Sequence, residues 1–341
     1  MSFFARKKAK PAATSGKQPT SAAEPPGPPA DNFVGDPEAL RLRDVLAAGR
    51  WREAHDFLDS VKDPRMRNFY LTTLTNMTGW PGWIDEWVAA RPDSPVPMLF
   101  AGWRKVNWAW EARGGGRAKT VKEDAWPLFH GRLVQADREL AQAAALDPAD
   151  PVPVARSIWV AMGLSLGQAE VRRRFQAAEQ REHLNHSACY AMIQATAKKW
   201  GGSHDAMFEF ARWVARESPE GSPGHRVIAL AHIEGWLDAS TADRPRYFSD
   251  PGVQAEIRQA AHWSILSPHY PADAATWADR NAFAFCFNRM GDHQAALAQF
   301  ELIGTRITPA PWHFLNVKEP GKGYMAARQQ SLNAVPGWRA R

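Results

Sequence analysis

Residues 136–148, ADRELAQAAALDP, set a pattern that occurs three times at equal intervals. A small or β-branched residue is followed four positions later by a large apolar one, three later by another apolar one, and five later by a turn residue. The copies, which begin 35 residues apart, are Ala136, Leu140, Ala143 and Pro148; Val171, Phe175, Ala178 and His183; and Ala206, Phe210, Trp213 and Ser218. Positions i, i+4 and i+7 share one helix face, so each copy predicts a helix that buries one stripe and then ends.

The interval between the copies indicates a repeat, because a helix of this length cannot bury its stripe without a neighbour about every 34 residues. The pattern resembles the second helix of the tetratricopeptide repeat, and its most complete copy includes residues 288–300, NRMGDHQAALAQF. The turn and packing residues of that copy are Gly291, Ala296, Phe300 and Ile303. Weaker copies begin at Ala54 and Trp83. Two positions depart from the family pattern: Trp83 stands where a small residue is usual, and His183, in the copy that begins at Val171, stands where Pro is usual. The resemblance covers most of residues 36–310 and implies an all-α fold, a right-handed superhelical array of antiparallel helical hairpins.

Helix-start signals agree with this period. Asp is a favoured N-cap, and Pro fits the first helical position because its missing N–H has no partner there. The Asp-Pro pairs begin at Asp36, Asp63, Asp150 and Asp250. Alternating strand patterns of useful length are absent from the sequence. The predicted helices are 37–48, 51–61, 64–78, 81–91, 95–112, 121–146, 151–165, 168–182, 186–200, 203–217, 222–238, 251–266, 272–290, 293–303 and 322–333.

The repeat region is predicted to occupy residues 33–310, between a tail at 1–32 and a capping helix with a short tail at 311–341. The N-terminal tail is rich in Pro, Ala, Ser and Lys, and it contains too little apolar surface to offset its ordering entropy. We therefore expect it to be disordered. Two insertions, near 113–120 and 240–250, interrupt the array and are expected to emerge as loops.

Charge and hydropathy narrow the possible partners. The formal net charge is +6, but residues 1–30 carry five Lys or Arg against one Glu, which leaves +2 for residues 31–341. A nearly balanced folded region predicts no nucleic-acid partner. No run approaches the ~18 apolar residues of a membrane span, and no apolar stretch follows the N-terminal charges, so a cytoplasmic protein is predicted. Phe3 and Phe4, followed by basic residues, leave weak contact with an anionic membrane surface or an acidic protein as an alternative to a solvated tail.

The sequence shows no arrangement typical of a catalytic, cofactor or metal site. Residues 114–120, GGGRAKT, lack the Gly-Lys-Ser/Thr order of a phosphate-binding loop and the strand that precedes it. His183 and His186 are three residues apart, but a third metal ligand is not evident. Cys189 and Cys286 lie on different predicted helices and are interpreted as buried thiols. We therefore expect no cofactor, no metal ion and no enzymatic activity.

Tryptophan is unusually frequent, with 16 residues, and several precede the first insertion. In a repeat array large aromatic side chains normally fill the spaces between helices, so core packing is the first interpretation. Rings that face a concave groove would instead supply a stacking surface, and adjacent basic residues would favour an acidic ligand. The candidate partner-binding residues are Trp83, Trp87, Trp103, Arg104 and Trp108, together with Arg113, Arg117, Lys119 and Lys122 of the basic insertion.

The function predicted from these features is a non-enzymatic scaffold or adaptor that docks a protein or peptide segment, possibly acidic, in the concave groove. Two alternatives stay open. One is an occluding regulator of a single partner, of the immunity or antitoxin type. The other is an enzyme on an α/α helical scaffold that acts in a Trp-lined pocket. The enzyme requires carboxylates that converge on that pocket, whereas arginine and tryptophan alone would argue against it.

Overall fold

The computed structural model describes residues 27–114 and 121–339, which are helical and contain no β-strand. The all-α prediction is therefore confirmed. The α-helices are α1 (Pro37–Ala47), α2 (Trp51–Ser60), α3 (Pro64–Leu74), α4 (Trp83–Ala90), α5 (Pro95–Arg113), α6 (Ala125–Leu146), α7 (Val152–Gly163), α8 (Gln168–Glu179), α9 (His186–Ala195), α10 (His204–Glu217), α11 (Arg226–Asp238), α12 (Pro251–His262), α13 (Trp277–Arg289), α14 (His293–Ile303), α15 (Pro309–Trp312) and α16 (Pro320–Ala334). Short 3₁₀ helices cover Lys198–Trp200, Pro223–His225, Arg244–Ser249 and Ala274–Thr276.

The four Asp-Pro pairs begin helices, as predicted. In each pair the carboxylate accepts a hydrogen bond from a backbone N–H two or three residues later, which satisfies one of the free donors of the first turn. The bonds run from Ala39 to Asp36 (2.8 Å), from Arg65 to Asp63 (2.8 Å), from Val152 to Asp150 (2.9 Å) and from Gly252 to Asp250 (2.8 Å). Three of these pairs precede the first helix of a hairpin (α1, α3 and α7), and the fourth precedes α12.

Within the hairpins, the odd-numbered helices from α3 to α13 lie inside and the even-numbered helices lie outside. The inner helix α7 buries ten of its twelve residues, whereas its outer partner α8 buries four of twelve. Another inner helix, α11, buries nine of thirteen residues, against three of twelve for its outer partner α12. An inner helix therefore packs on most of its sides, and an outer helix buries the single stripe that the sequence pattern marks.

Contacts between distant hairpins close the inner row of helices around a common centre. Arg65 on α3 donates from both Nη atoms to the carboxylate of Asp273, just before α13, with an Nη1–Oδ1 distance of 2.7 Å. Ser187 Oγ, in the first turn of α9, donates to Asn68 Oδ1 at 2.7 Å. We number the hairpins as consecutive helix pairs from α1–α2. The second hairpin (α3–α4) thereby contacts both the fifth (α9–α10) and the seventh (α13–α14), and the inner helices enclose a central space.

Residues 27–32 do not behave as the end of a disordered tail. The Asp31 N–H donates to the carbonyl oxygen of Ile307 at 3.0 Å, and the Asn32 carbonyl accepts from Thr73 Oγ1 at 3.0 Å. This segment also approaches α16 so closely that residue 321 has to be glycine, because a Cβ on Gly321 would lie 1.9 Å from the Pro28 carbonyl oxygen. The predicted tail therefore extends too far by these six residues, and residues 1–26 lie outside the described part of the chain.

The two predicted insertions differ in structure. The first begins at Arg113, the last residue of α5, and residues 115–120 lie outside the described part of the chain. The second, predicted as a loop at 240–250, contains the 3₁₀ helix Arg244–Ser249. Phe248 in that helix is 3% exposed and packs against Trp236 and Phe285. The second insertion is therefore anchored to the core by Phe248, although most of its residues are exposed.

Two helical glycines provide a matched test of the packing between α5 and α6. A Cβ on Gly102 would lie 2.9 Å from Leu140 Cγ, whereas a Cβ on Gly131 would meet no atom within 4 Å. We expect Gly102→Ala to lower the free energy of unfolding by about 1–3 kcal/mol through overpacking. Gly131→Ala should raise it by up to about 1 kcal/mol through helix propensity. Urea denaturation measures both values, and a stabilising Gly102→Ala would contradict this packing.

Candidate functional site

The central space consists of two adjoining chambers. The polar chamber, about 770 Å³ with its mouth included, is lined by residues of every inner helix from α3 to α13. Its polar and aromatic side chains include Arg65, Trp103, Arg156, His186, Tyr190 and Arg226. The aromatic chamber, about 690 Å³ with its mouth included, lies further along the inner helices and includes Trp110, Trp200, Leu230, Glu234, His313 and Phe314. Trp159, Tyr190, Arg226 and Ala278 line both chambers.

Two arginines of the polar chamber are held by interior partners. Arg226 Nη1 donates to Asp279 Oδ1 at 2.8 Å, and the Tyr270 hydroxyl donates to the other oxygen of Asp279 at 2.6 Å. Arg156 Nη2 donates to Asn107 Oδ1 at 2.6 Å, and its guanidinium carbon lies 4.6 Å from the centroid of the Trp103 ring. Burial lowers the pKa of Arg156, but an arginine retains its charge at physiological pH. The chamber therefore presents rigidly positioned cationic groups.

Hydrogen-bond donors are in excess around the polar chamber. Trp103 Nε1 and Arg226 Nε are buried and have no acceptor among the residues that the structure describes. A buried donor without an acceptor costs about 1–3 kcal/mol, so an added acceptor atom is stabilising. Helices α9 and α11 begin at His186 and Arg226, and their N-terminal ends add partial positive charge to this chamber. The donors without acceptors and the helix ends favour an anion here, beside guanidinium groups of which Arg65 and Arg226 already pair with Asp273 and Asp279.

A surface recess connects with the polar chamber. The recess contains Asp63, Glu182, His183 and Glu217, and it shares Arg65, Asn68, His186 and Ser187 with the polar chamber. His183 is exposed and bonds Glu179 through its Nδ1 atom, four residues earlier on the chain. Across residues 27–114 and 121–339, no group of three or more His, Cys, Asp or Glu side chains is arranged to hold a metal ion. The recess and the polar chamber are therefore neighbouring spaces that share these four wall residues.

The carboxylates around the chambers are bound to cations. Asp273 and Asp279 accept from the guanidinium groups of Arg65 and Arg226. Glu234, which lines the aromatic chamber, accepts from Lys199 Nζ at 2.6 Å and from Gln194 Nε2 at 2.7 Å. General acid–base catalysis needs carboxylates that reach the substrate. This arrangement instead uses its carboxylates to fix arginine and lysine side chains, and the chemistry that it offers is binding of acceptor groups.

Two of the sequence-predicted site residues lie in the interior, away from the chambers. Trp87 is 0% exposed and donates from Nε1 to His55 Nδ1 at 3.2 Å. Arg104 is also 0% exposed, and its Nη2 donates to the Gly79 carbonyl at 2.7 Å and to Glu111. The first interpretation, core packing, therefore describes Trp87. Arg104 satisfies carbonyl groups of the segment after α3, and neither residue presents a surface to a partner.

The other candidates are dispersed. Among the candidates that the structure describes, Trp103 alone lines the polar chamber. Trp83 is half-buried against Phe100, with 5.8 Å between ring centroids, and Trp108 stacks on Trp80 at 5.6 Å. Arg113 is surrounded by aromatic rings, and Lys122 is exposed. Arg117 and Lys119 lie outside the described residues. The structure does not bring these residues together at one site.

Sequence reasoning missed Arg156 and Arg226, which line the polar chamber. A usable signal for Arg156 is its position within α7, VPVARSIWVAMG, where the other buried residues are apolar or glycine. A charged residue in such a helix is buried with partners, which marks it as a candidate for function. Arg226 has no comparable signal, because it stands at the first position of α11 and pairs with Asp279, 53 residues later.

His313 of the aromatic chamber generates a pH prediction. It is 3% exposed, and burial lowers its pKa to about 4. Between that value and its ordinary pKa near 6.5, the unfolded chain binds a proton that the folded chain does not. The contribution to stability is therefore complete above pH 6.5 and declines as the pH falls toward 4. Between pH 7 and 4.5, the free energy of unfolding of the wild type should fall by about 2–3 kcal/mol more than that of His313→Phe. Urea denaturation at the two pH values measures both changes. Equal decreases in the two proteins would contradict this assignment.

Comparisons with known proteins give no match, whether to a family model, to a curated protein or to a solved structure. The resemblance to tetratricopeptide repeats therefore stays a prediction that rests on the sequence pattern. In the part of the chain that the structure describes, none of the helices combines the length and the apolar character needed to cross a membrane.

Proposed function

We propose that the protein is a binding protein, without catalytic activity, whose central space receives a small organic anion. The observation that carries this proposal is the convergence of three guanidinium groups on one chamber. Arg65 comes from α3, Arg156 from α7 and Arg226 from α11. These helices belong to three different hairpins, so the cluster exists only because the inner helices enclose it. We also propose that the hairpins are tetratricopeptide-like units, as their period indicates.

Guanidinium chemistry favours a carboxylate as the acidic group. An arginine offers donors in a planar fork that matches the two oxygens of a carboxylate, and a charge-assisted hydrogen bond is about twice as strong as a neutral one. The interior site excludes most of the water that would screen the interaction. Trp103 Nε1 and Arg226 Nε add donors that lack an acceptor among the described residues. A ligand carboxylate would satisfy such groups.

A small ligand fits the geometry better than the peptide expected from the sequence. Docking in a concave groove requires an open inner side, but the contact between Arg65 and Asp273 joins the second hairpin to the seventh across it. Trp87 and Arg104, two of the proposed groove residues, are fully buried. The enzyme alternative would use the aromatic chamber as its Trp-lined pocket, and it requires carboxylates there. Glu234, which lines that chamber, is already paired with Lys199. These features support binding of a small molecule over the peptide-docking scaffold and over the enzyme.

Benzoate and its uncharged analogue benzamide test this proposal by isothermal titration calorimetry. We expect benzoate to bind at least tenfold more tightly than benzamide. Arg156→Met removes a cationic group and should weaken benzoate binding by tenfold or more. That factor corresponds to a loss of about 1.4 kcal/mol or more of binding free energy. Trp103→Phe, which removes the Nε1–H, should weaken it by a smaller factor. Thermal unfolding of each variant checks that it is folded.

Arg172→Met is the matched control, because Arg172 is an exposed arginine on the outer helix α8. Its affinity for benzoate should equal that of the wild type. Equal weakening by the control and by Arg156→Met would show that benzoate responds only to overall charge, and the proposed site would be wrong. Absence of benzoate binding to the wild type at millimolar concentration would overturn the proposed function.

A further inference from the structure

The aromatic chamber has walls that suit a flat ring. Trp110 and Trp200 meet edge to face with centroids 5.3 Å apart, and Trp159 and Tyr190 lie 5.7 Å apart. Phe314 also lines the chamber. Aromatic groups in such surroundings pair edge to face or offset, and each pair contributes beyond the area it buries. The chamber is therefore suited to an aromatic group.

The two chambers adjoin at a boundary with one small residue. Trp159, Tyr190, Arg226 and Ala278 line both spaces, and Ala278 on α13 is the only one of these four without a long side chain. A rigid molecule whose acidic group lies among the arginines would extend past Ala278 into the aromatic chamber. Its charged end and its apolar end would then each have surroundings of matching polarity.

His313 gives the aromatic chamber a hydrogen-bond acceptor. Its Nδ1 lies 3.2 Å from the Pro309 carbonyl oxygen, which can only accept, so Nδ1 carries the proton. Since its low pKa keeps the ring neutral at pH 7, Nε2 is left with a lone pair. That atom is buried, and no donor from the described residues reaches it. An N–H or O–H group on a ligand would satisfy it once the His313 ring turns to bring the buried Nε2 to the chamber wall.

Resting on the proposed function, we infer that the ligand is a rigid aromatic carboxylic acid that spans both chambers and carries a hydrogen-bond donor at the end opposite its carboxylate. The carboxylate lies among Arg65, Arg156 and Arg226 in the polar chamber. The aromatic body passes Ala278, and the donor meets His313 Nε2 in the aromatic chamber. The three requirements — an anion, a flat apolar body and a distal donor — define the class of ligand that the site selects.

Three probes separate these requirements: benzoate, biphenyl-4-carboxylate and 4′-hydroxybiphenyl-4-carboxylate. By isothermal titration calorimetry at pH 7, we expect the wild type to bind the biphenyl acid at least fivefold more tightly than benzoate. The hydroxyl group should add a further fivefold or more, since it satisfies a buried acceptor. Ala278→Leu should bring all three affinities to within twofold of the benzoate value, because the larger side chain fills the boundary.

His313→Phe isolates the distal contact. This variant should bind biphenyl-4-carboxylate about as tightly as the wild type does, but it should lose the preference for the hydroxylated probe. Ala145→Leu and His262→Phe, at exposed positions on α6 and α12, are the matched controls and should keep the wild-type order of affinities. If Ala278→Leu unfolds, Ala282→Leu, in the aromatic chamber, replaces it with the same expected loss.

The outcomes distinguish the two levels of the proposal. Binding of benzoate with no gain for the biphenyl acid, or a gain that Ala278→Leu leaves unchanged, would overturn the two-chamber ligand and leave the proposed function standing. A preference for the hydroxyl group that persists in His313→Phe would overturn the distal donor. Failure of the wild type to bind any of the three acids would overturn the proposed function and this inference together.

Discussion

The contact between Arg65 and Asp273 is the constraint on which the rest of the site depends. It joins residues 208 positions apart and turns a row of hairpins into an enclosure. Asp273 also accepts from the Ala275 N–H, so the same carboxylate fixes the turn before α13. Bringing such distant segments together costs conformational entropy, although the cost grows slowly with separation. In return, the inner helices gain a shared interior from which most water is excluded.

Within that interior, arginine side chains take structural roles that are usually given to apolar groups. Arg104 binds the Gly79 carbonyl and Arg156 binds Asn107 while lying over Trp103. A buried charge needs partners, and backbone carbonyls, amide oxygens and ring faces provide most of them here, whereas Arg226 Nε has no acceptor among the described residues. Arg226 follows the same rule through Asp279. The positions of the guanidinium groups are therefore fixed before any ligand arrives.

Sequence patterns were sufficient for the features that local chemistry controls. The 35-residue interval and the capping residues Asp36, Asp63, Asp150 and Asp250 predicted the hairpins, because a helix start and a buried stripe depend on residues within a few turns. The site was not predictable in this way. Arg226 becomes functional only through partners on other hairpins, and Trp87 looked like a surface candidate because a helical pattern does not tell which neighbour covers a ring. Of the tryptophans proposed, Trp103 alone reaches the polar chamber.

Closure by distant residues has a consequence for synthesis on the ribosome. At about 5–20 residues per second, Asp273 emerges roughly 10–40 seconds after Arg65, and Asp279 follows Arg226 by several seconds. Until then, these arginines belong to nascent hairpins whose inner faces are still hydrated. A chain released early, before the seventh hairpin, would contain most of the helices but no finished chamber. The polar chamber is thus complete only after the seventh hairpin has been synthesised.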